Sequence, residues 1–258
     1  MIAQKRDQMS MKAQKIAVTG KGGSGKTAIT AIMTGLLAGE GKRRILAIDA
    51  DSSVSLSYAL GIDVRRTVSE IRRDVIEDPE ARREIESRHI RDAMAEIVEA
   101  GKGFDLLTMG RPEGPGCFCG TNELLRYGID SLSKQYDITL IDCEAGPEQV
   151  NRRVVNGVDF LIIVTDTSTR GMHAARAINE VIQRDMKSTK TGLVINKSRG
   201  TDQTITQMAD EAGLEILGSV PDDDNLAEYD SIGKPIIDLP DTSPSVSAIQ
   251  EILQRIVL

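Results

Sequence analysis

The sequence predicts an α/β fold in which a mostly parallel, twisted sheet is flanked by helices on both faces. The first observation is a series of short apolar runs rich in Ile, Leu and Val, which is typical of strands buried on both faces. The second is that longer segments suited to helices separate many of these runs, which is the order that parallel strands require. The runs lie at residues 15–19, 45–48, 104–109, 138–141, 160–164, 193–195 and 216–220.

The helical segments follow this alternation. Residues 27–37 predict the first helix, which ends near a Gly-Glu-Gly turn. Residues 63–102 alternate in charge among sparse apolar positions, and we expect them to form helices with solvated faces and no functional site. A further helix is predicted to begin at Met172. Apolar residues at helical spacing over 246–256 predict a last helix that packs on the sheet.

Length and charge limit the classes of protein that this chain can belong to. Its 258 residues, 40% of them hydrophobic, predict a single domain over residues 15–258 behind a flexible leader at 1–14, with Met1 or Met11 as the start. The leader lacks the apolar core of a signal peptide, and no run of about eighteen apolar residues occurs, so we expect a cytoplasmic protein that does not bind membrane. A net charge of -7 argues against nucleic-acid binding.

A glycine-rich segment between the first strand and the first helix carries the clearest functional signal. Residues 20–27 read G-K-G-G-S-G-K-T and match the phosphate-binding pattern G-x-x-x-x-G-K-[ST]. The glycines let backbone N–H groups surround phosphates, Lys26 brings a charge to the β and γ phosphates, and Thr27 offers a hydroxyl to Mg²⁺. The sequence therefore predicts a P-loop nucleotide site. Its predicted binding residues are Gly22, Gly23, Ser24, Gly25, Lys26 and Thr27.

Acidic residues close two of the predicted strands. Asp49 and Asp51 follow the run at 45–48, and Asp142 follows the run at 138–141. The carboxyl ends of parallel strands are where α/β sheets bind ligands. An aspartate that closes an apolar strand also occupies the position that supports Mg²⁺ in P-loop NTPases, and we expect Asp142 to do so here.

Lys21, directly after the first glycine, makes the loop more specific than a general nucleotide site. With this lysine the loop resembles that of the deviant Walker family, which includes MinD and ParA partition ATPases, the nitrogenase iron protein and nickel-insertion ATPases. The resemblance implies a MinD-like P-loop fold and Mg²⁺-dependent ATP hydrolysis in a homodimer that sandwiches the nucleotides. It also implies that Lys21 reaches the phosphates bound by the partner.

The same resemblance implies roles for other residues by their positions. The second aspartate of the D-x-D orients the attacking water in that family, which implies this role for Asp51, although Ser52 stands where many relatives have proline. The asparagine after the run at 193–195 lies on the adenine edge, and the residues after 216–220 close over the base. The implied catalytic residues are Lys21, Lys26, Asp51 and Asp142; the Mg²⁺ residues are Thr27, Asp49 and Asp142; the base contacts are Asn196, Pro221 and Asp222.

A C-x-C motif marks a second candidate site. Cys117 and Cys119 follow a Gly- and Pro-rich loop and precede a predicted helix. In an extended segment, residues i and i+2 face the same side, so both thiols would face one ion. Two thiolates do not complete a tetrahedral site, but a two-fold pair of chains would supply four. We interpret Cys143, next to Asp142, as a buried residue that binds no metal.

The segment G-R-P-E-G-P-G-C-x-C resembles the corresponding element of the ATPases that mature carbon monoxide dehydrogenase, the CooC type. This implies a metallochaperone that binds Ni²⁺ or Zn²⁺ at Cys117 and Cys119 and serves a client enzyme of the carbon monoxide dehydrogenase type. The alternative is an electron-transfer ATPase like the nitrogenase iron protein, with a [4Fe–4S] cluster on the same four thiolates. A third possibility is a positioning ATPase of the MinD or ParA kind, which would leave both cysteines without a role.

Overall fold

The computed structural model describes residues 13–80, 83, 90–111, 127, 130–146, 157–186, 188–200 and 203–257. Residues 1–12 of the predicted leader, the C-x-C motif and most of the helix predicted to follow it lie outside these residues, and the first strand begins at Gln14. Among the residues described, no helix is long and apolar enough to cross a membrane.

Eight strands form one sheet in the order β3-β4-β2-β5-β1-β6-β7-β8. Every pairing is parallel except that of β3 with β4, so the predicted α/β fold with a mostly parallel sheet is confirmed. The strands are β1 (Gln14–Gly20), β2 (Ile45–Ala50), β3 (Glu99–Ala100), β4 (Phe104–Thr108), β5 (Ile138–Cys143), β6 (Phe160–Thr165), β7 (Lys190–Ser198) and β8 (Ile216–Pro221).

Helices cover both faces of this sheet, because the apolar side chains of each central strand point alternately to the two faces. One face packs against the first and last helices and is called the α1 face; the other packs against the helix after β6 and is called the α5 face. The helices are α1 (Lys26–Gly39), α2 (Ser55–Leu60), α3 (Val68–Glu77), α4 (Ile90–Glu96), α5 (Thr169–Asp185), α6 (Gln203–Glu211), α7 (Asp224–Ile232) and α8 (Pro244–Ile256).

The last helix shows how spacing in the sequence becomes packing. Ser243 precedes α8 and Pro244 is its first residue, a position where proline is tolerated because its missing N–H would have no partner. The apolar residues of α8 lie buried in the cluster on the α1 face, so the prediction that this helix packs on the sheet is confirmed. They are Val246, Ile249, Ile252, Leu253 and Ile256.

Three local predictions differ from the structure. The interpretation of 63–102 as helical was wrong at its end, where β3 pairs antiparallel with β4 and places Glu99 opposite Leu106. The short helix α2 was not predicted, because six residues are too few to show helical periodicity. Helix α5 begins before Met172, since the Ser168 side chain caps it by accepting a hydrogen bond from the backbone N–H of Gly171.

Candidate nucleotide-binding site

The glycine-rich loop joins β1 to α1 at the carboxyl edge of the sheet, and two of its glycines are required by close contacts. Gly20 has φ of 150°, and a Cβ there would lie 2.1 Å from the carbonyl oxygen of Val164. Gly25 has φ of 91°, and a Cβ there would lie 2.2 Å from Nδ2 of Asn196. Any other residue would push the loop away from β6 and β7. Because these two glycines have no side chains, the loop can pack directly against the sheet.

Lys26 is the charged side chain inside this loop. It is buried, and its Nζ donates a hydrogen bond to the carbonyl oxygen of Lys21, 3.3 Å away. The backbone N–H of Ser24 donates to the same oxygen at 3.2 Å, which closes the loop around the ammonium group. The Ser24 hydroxyl is buried and meets no hydrogen-bond partner in the described part of the chain. A confined cation beside an unpaired hydroxyl suits the oxygen atoms of a phosphate chain.

Asp142 and Thr27 meet beneath the loop. Asp142 closes β5 on the α1 face, and its Oδ2 accepts a hydrogen bond of 2.7 Å from the Thr27 hydroxyl at the start of α1. Its Oδ1 is buried and has no hydrogen-bond partner among the described residues. Burial raises the pKa of Asp142 to about 7, although the Thr27 hydrogen bond and the nearby Lys26 charge act in the opposite direction. The site therefore holds a buried carboxylate oxygen that accepts no hydrogen bond from the described residues.

This donor set fits Mg²⁺, which prefers carboxylate and hydroxyl oxygens and is bound by few protein groups together with phosphates. Thr27 and Asp142 would hold the ion, and the free Oδ1 of Asp142 is the atom that the ion would neutralise. When bound, the ion would supply positive charge to the phosphates. That these two residues serve Mg²⁺ stays a prediction, and it is one that their geometry permits.

Asp49 lies beside Asp142 in the neighbouring strand, where the two residues are in register. Its two carboxylate oxygens accept hydrogen bonds from backbone N–H groups, Oδ1 from Asp51 at 3.1 Å and Oδ2 from Leu56 at 3.0 Å. Burial and then the charge of Asp142 raise the pKa of Asp49 to about 7. Asp51 is half-buried, and its Oδ1 accepts a hydrogen bond from the backbone of Ser53 at 2.8 Å.

Lys21 is paired within its own chain. Its Nζ lies 3.1 Å from Oδ2 of Asp166, the residue that follows β6, and about a third of the Lys21 side chain is exposed. Burial opposes the charge of Asp166, but hydrogen bonds from Ser168 and then from Lys21 lower the pKa of the carboxyl group. Asp166 was not among the predicted site residues, yet it closes an apolar strand as Asp49 and Asp142 do, and that signal would have identified it.

The predicted base contacts lie at the ends of β7 and β8. Asn196 is buried and donates a 2.8 Å hydrogen bond to the carbonyl oxygen of Ser24, so it braces the glycine-rich loop. Pro221 ends β8, and the exposed carboxylate of Asp222 accepts hydrogen bonds from Arg199. Sequence reasoning missed Lys197, which has a left-handed φ of 54° and a Nζ 3.5 Å from the carbonyl oxygen of Gly23.

The cysteines separate into two groups. Cys117 and Cys119 lie outside the described residues, so the predicted metal site stays a prediction. Cys143 is buried in the apolar cluster of the α5 face, opposite the side on which Asp142 meets Thr27. Burial strongly raises the pKa of its thiol, which keeps the sulfur protonated. The predicted burial of Cys143 is confirmed, and its lack of a metal role stays a prediction. Within the part of the chain that the structure describes, no three His, Cys, Asp or Glu side chains form a metal-binding group.

The strand, loop and helix at residues 14–39, with the paired carboxylates beneath the loop, define a P-loop nucleotide-binding protein. Residues 15–236 match the CobQ/CobB/MinD/ParA nucleotide binding domain, CbiA, and the chain belongs to this family.

Known proteins resemble the chain over most of its length. An uncharacterized ATP-binding protein of Methanocaldococcus jannaschii is 38% identical over 94% of this chain and 98% of the relative. The carbon monoxide dehydrogenase accessory protein CooC of Rhodospirillum rubrum is 31% identical over 87% of this chain and 90% of CooC. The septum site-determining protein MinD of Pyrococcus horikoshii, solved with Mg-ADP, superposes with a TM-score of 0.72 over 95% of this chain and 96% of that chain, at 21% identity. The predicted MinD-like fold and the resemblance to the deviant Walker family are thereby confirmed.

Proposed function

We propose that the protein is a cytoplasmic ATPase that dimerises with bound nucleotide and inserts nickel into an enzyme of the carbon monoxide dehydrogenase type. The observation that supports this most directly is the presence in one chain of a Mg²⁺–nucleotide site and a C-x-C motif. Both occur in a chain that is 31% identical to a carbon monoxide dehydrogenase accessory protein. A second copy of the chain and a client metalloenzyme are the partners that this function needs.

The described site supports hydrolysis through residues with separate tasks. Lys26 binds the phosphates of its own chain, Thr27 and Asp142 hold Mg²⁺, and Asp51 orients the water that attacks the terminal phosphate. Lys21 serves the partner's nucleotide and must first leave Asp166. That pair is partly exposed to solvent, so breaking it costs no more than about 1 kcal/mol, which contacts with a nucleotide phosphate can offset.

The metal would bind where two chains meet. One chain offers Cys117 and Cys119, and a two-fold pair offers four thiolates, which is the ligand number of a closed tetrahedral site. Nucleotide that favours the closed dimer then strengthens metal binding, and metal strengthens nucleotide binding to the same extent, because coupling between two sites is reciprocal. Hydrolysis would open the pair and release the ion to the client.

The nucleotide half of the proposal is tested with two lysine variants. Lys26→Ala should abolish ATP binding, whereas Lys21→Ala should bind ATP as a monomer but fail to dimerise or hydrolyse it. Calorimetry gives the affinity, and size-exclusion chromatography with light scattering gives the mass. Equal loss of nucleotide affinity in the two variants would contradict a cross-dimer role for Lys21. Asp51→Asn should retain the ATP dimer and slow turnover.

The metal half is tested by elemental analysis of the dimer fraction loaded anaerobically with Ni²⁺ or Zn²⁺. We expect one ion for two chains in the parent protein and in the matched control Cys143→Ser, and loss of tight binding in Cys117→Ser and in Cys119→Ser. One ion per chain, or tight binding retained in the double serine variant, would refute the interface site. Failure of this arm alone would leave the ATPase proposal intact.

The second candidate function, ATP-driven electron transfer, uses the same cysteines. It is favoured by the R-P-E-G-P-G-C segment, which resembles the cluster loop of the nitrogenase iron protein. Protein purified without oxygen would then be brown and contain four iron atoms per dimer. A membrane-positioning role is less favoured, because the apolar side chains of α8 are buried against the sheet and do not form a free amphipathic face.

A further inference from the structure

The loop between β2 and α2 carries Asp51 and is tied at both ends to one side chain. Asp49 is fully buried, its Oδ1 accepts the backbone N–H of Asp51 at 3.1 Å, and its Oδ2 accepts that of Leu56 at 3.0 Å. One carboxylate thereby joins the first residue of the loop to the first turn of α2. Since the hydrogen bonds come from the backbone, they determine the path of the chain rather than the position of another side chain.

The loop contains a strained residue between these two ties. Val54 has φ of 56° and ψ of 39°, a left-handed conformation that β-branched residues rarely adopt. Such a conformation persists only where surrounding contacts hold it. The local contacts are the bond from the Val54 N–H to the Asp51 carbonyl at 3.2 Å and the bond from the Ser57 hydroxyl to the Val54 carbonyl at 3.1 Å. The Asp49 carboxylate adds two hydrogen bonds, from the backbone N–H groups of Asp51 and Leu56, which lie on either side of Val54 in the sequence.

Asp49 and Asp142 are therefore not equivalent candidates for Mg²⁺. Within the part of the chain that the structure describes, Asp142 has a buried oxygen without a hydrogen-bond partner, whereas each oxygen of Asp49 accepts a backbone hydrogen bond. Asp51 in turn lies close enough for its charge to act on both of these carboxylates. The loop thus keeps Asp51 close to Asp49 and Asp142, and the two hydrogen bonds to Asp49 keep the loop in place.

We propose that Asp49 is a positioning residue for ATP hydrolysis: it clamps the backbone at Asp51 and Leu56, and so sets the place of the Asp51 carboxylate. This inference rests on the proposed ATPase activity, in which Asp51 orients the attacking water. Asp49 acts through Asp51 and does not bind Mg²⁺ directly.

The clamp is tested first without nucleotide, by amide hydrogen exchange measured by NMR. Asparagine at position 49 keeps one acceptor oxygen and replaces the other with a donor, so at least one of the two backbone bonds is lost. We expect the Leu56 or Asp51 amide to exchange at least about tenfold faster in Asp49→Asn. Asp78→Asn is the matched control, because Asp78 accepts the backbone N–H of Glu80 at 2.8 Å on an exposed turn. Unchanged exchange of both amides in Asp49→Asn would overturn the clamp.

The catalytic consequence is tested by steady-state kinetics with Mg²⁺ and ATP varied separately. We expect Asp49→Asn to lower kcat about 100-fold while the KM for ATP and the Mg²⁺ requirement stay as in the parent protein, because small misplacement of a reacting group has an effect of this size. Asp49→Asn combined with Asp51→Asn should be no slower than Asp51→Asn alone. Recovery of kcat at high Mg²⁺ would instead identify Asp49 as a metal ligand and overturn the inference.

The two proposals fail in different ways. If the parent protein does not hydrolyse ATP, the proposed function is refuted and the catalytic part of this inference with it. If the parent is active and Asp49→Asn is equally active, the inference alone is refuted. Circular dichroism and the denaturation midpoint of each variant show whether a loss of activity reflects unfolding. If Asp49→Asn does not fold, the exchange of the same amides in Asp49→Ser, which has no carboxylate, decides the clamp. Protection equal to the parent's in Asp49→Ser would overturn it.

Discussion

The carboxyl ends of β2 and β5 present the same residue type in the same register, and the protein uses the two in different ways. Asp49 and Asp142 are both buried aspartates on neighbouring parallel strands, each with a pKa raised to about 7. Both carboxylate oxygens of Asp49 accept hydrogen bonds from backbone N–H groups, one from Asp51 in the loop after β2 and one from Leu56 in α2. One oxygen of Asp142 accepts a hydrogen bond from the Thr27 hydroxyl, and the other has no hydrogen-bond partner in the described segments.

This difference shows that strand position alone does not decide whether a carboxylate serves a ligand or the chain. What decides it is the path of the backbone after the strand. After β2 the chain turns back toward Asp49 and begins α2, so the backbone N–H of Leu56 in that helix reaches the Asp49 carboxylate. At β5 the neighbouring group is the first turn of α1, which brings a hydroxyl to one oxygen. A buried acidic oxygen is thereby left for a cation.

The largest effect that we expect separates the two aspartates by their affinity for Mg²⁺-nucleotide. Asp142→Asn should weaken Mg²⁺-ADP binding about 100-fold, because it removes the charge that the ion would neutralise. Asp49→Asn should change that affinity by less than about threefold, since its oxygens already accept hydrogen bonds. Titration calorimetry with ADP, with and without Mg²⁺, measures both. Equal losses of Mg²⁺-ADP affinity in the two variants would show that Asp49 and Asp142 contribute alike to Mg²⁺ binding.

A smaller effect appears in the pH dependence of stability without nucleotide. The folded pKa values of Asp49 and Asp142, about 7, lie above the ordinary aspartate value of 3.8, so the folded state binds protons more tightly than the unfolded state. The free energy of unfolding should therefore fall as pH rises from about 4 to about 7, by at most about 1.4 kcal/mol per pH unit for each group, and level off above that.

Chemical denaturation at pH 5, 6, 7 and 8 measures this dependence, with Asp142→Asn as the comparison. The variant keeps only the contribution of Asp49, so its free energy of unfolding should change less across this range. If the free energy of unfolding of the parent protein falls between pH 5 and pH 7 no more steeply than that of the variant, Asp142 is not a proton-binding group of the folded state. Saturating Mg²⁺-ADP should flatten the curve, because the ligand favours the charged carboxylate.

The smallest effect that we expect compares the two faces of the sheet near the end of β5. Cys143→Ala removes a buried sulfur from the cluster on the α5 face, and we expect the free energy of unfolding to fall by about 1 kcal/mol. Mg²⁺-ADP affinity should stay within about twofold of the parent value, because Asp142 and Cys143 point to opposite faces. A tenfold loss of affinity would show that packing on the α5 face is coupled to the site.

Much of the fold and part of the site could be predicted because their signals are local. The alternation of apolar runs and helical segments is set by burial on both faces of a parallel sheet, and Gly20, Lys26 and Thr27 stand at spacings that the loop itself requires. Short elements gave too little periodicity, which is why α2 and β3 were missed. Asn196 lies in β7 and Asp166 directly follows β6, both far along the chain. Their contacts with Ser24 and Lys21 arise only when β6 pairs with β1 and β7 pairs with β6.

The sequence by itself determined the α/β class, the phosphate-binding loop and the presence of acids at strand ends, since each follows from residue type and spacing over a few positions. Only the tertiary structure decided which aspartate accepts hydrogen bonds from its own backbone and which one keeps an oxygen available to a cation. Asp49 and Asp142 are 93 positions apart and look alike in the sequence, and their roles depend on whether backbone N–H groups or the Thr27 hydroxyl reach their oxygens. Hydrogen bonding is a matter of a few ångströms in three dimensions, which spacing along the chain does not encode.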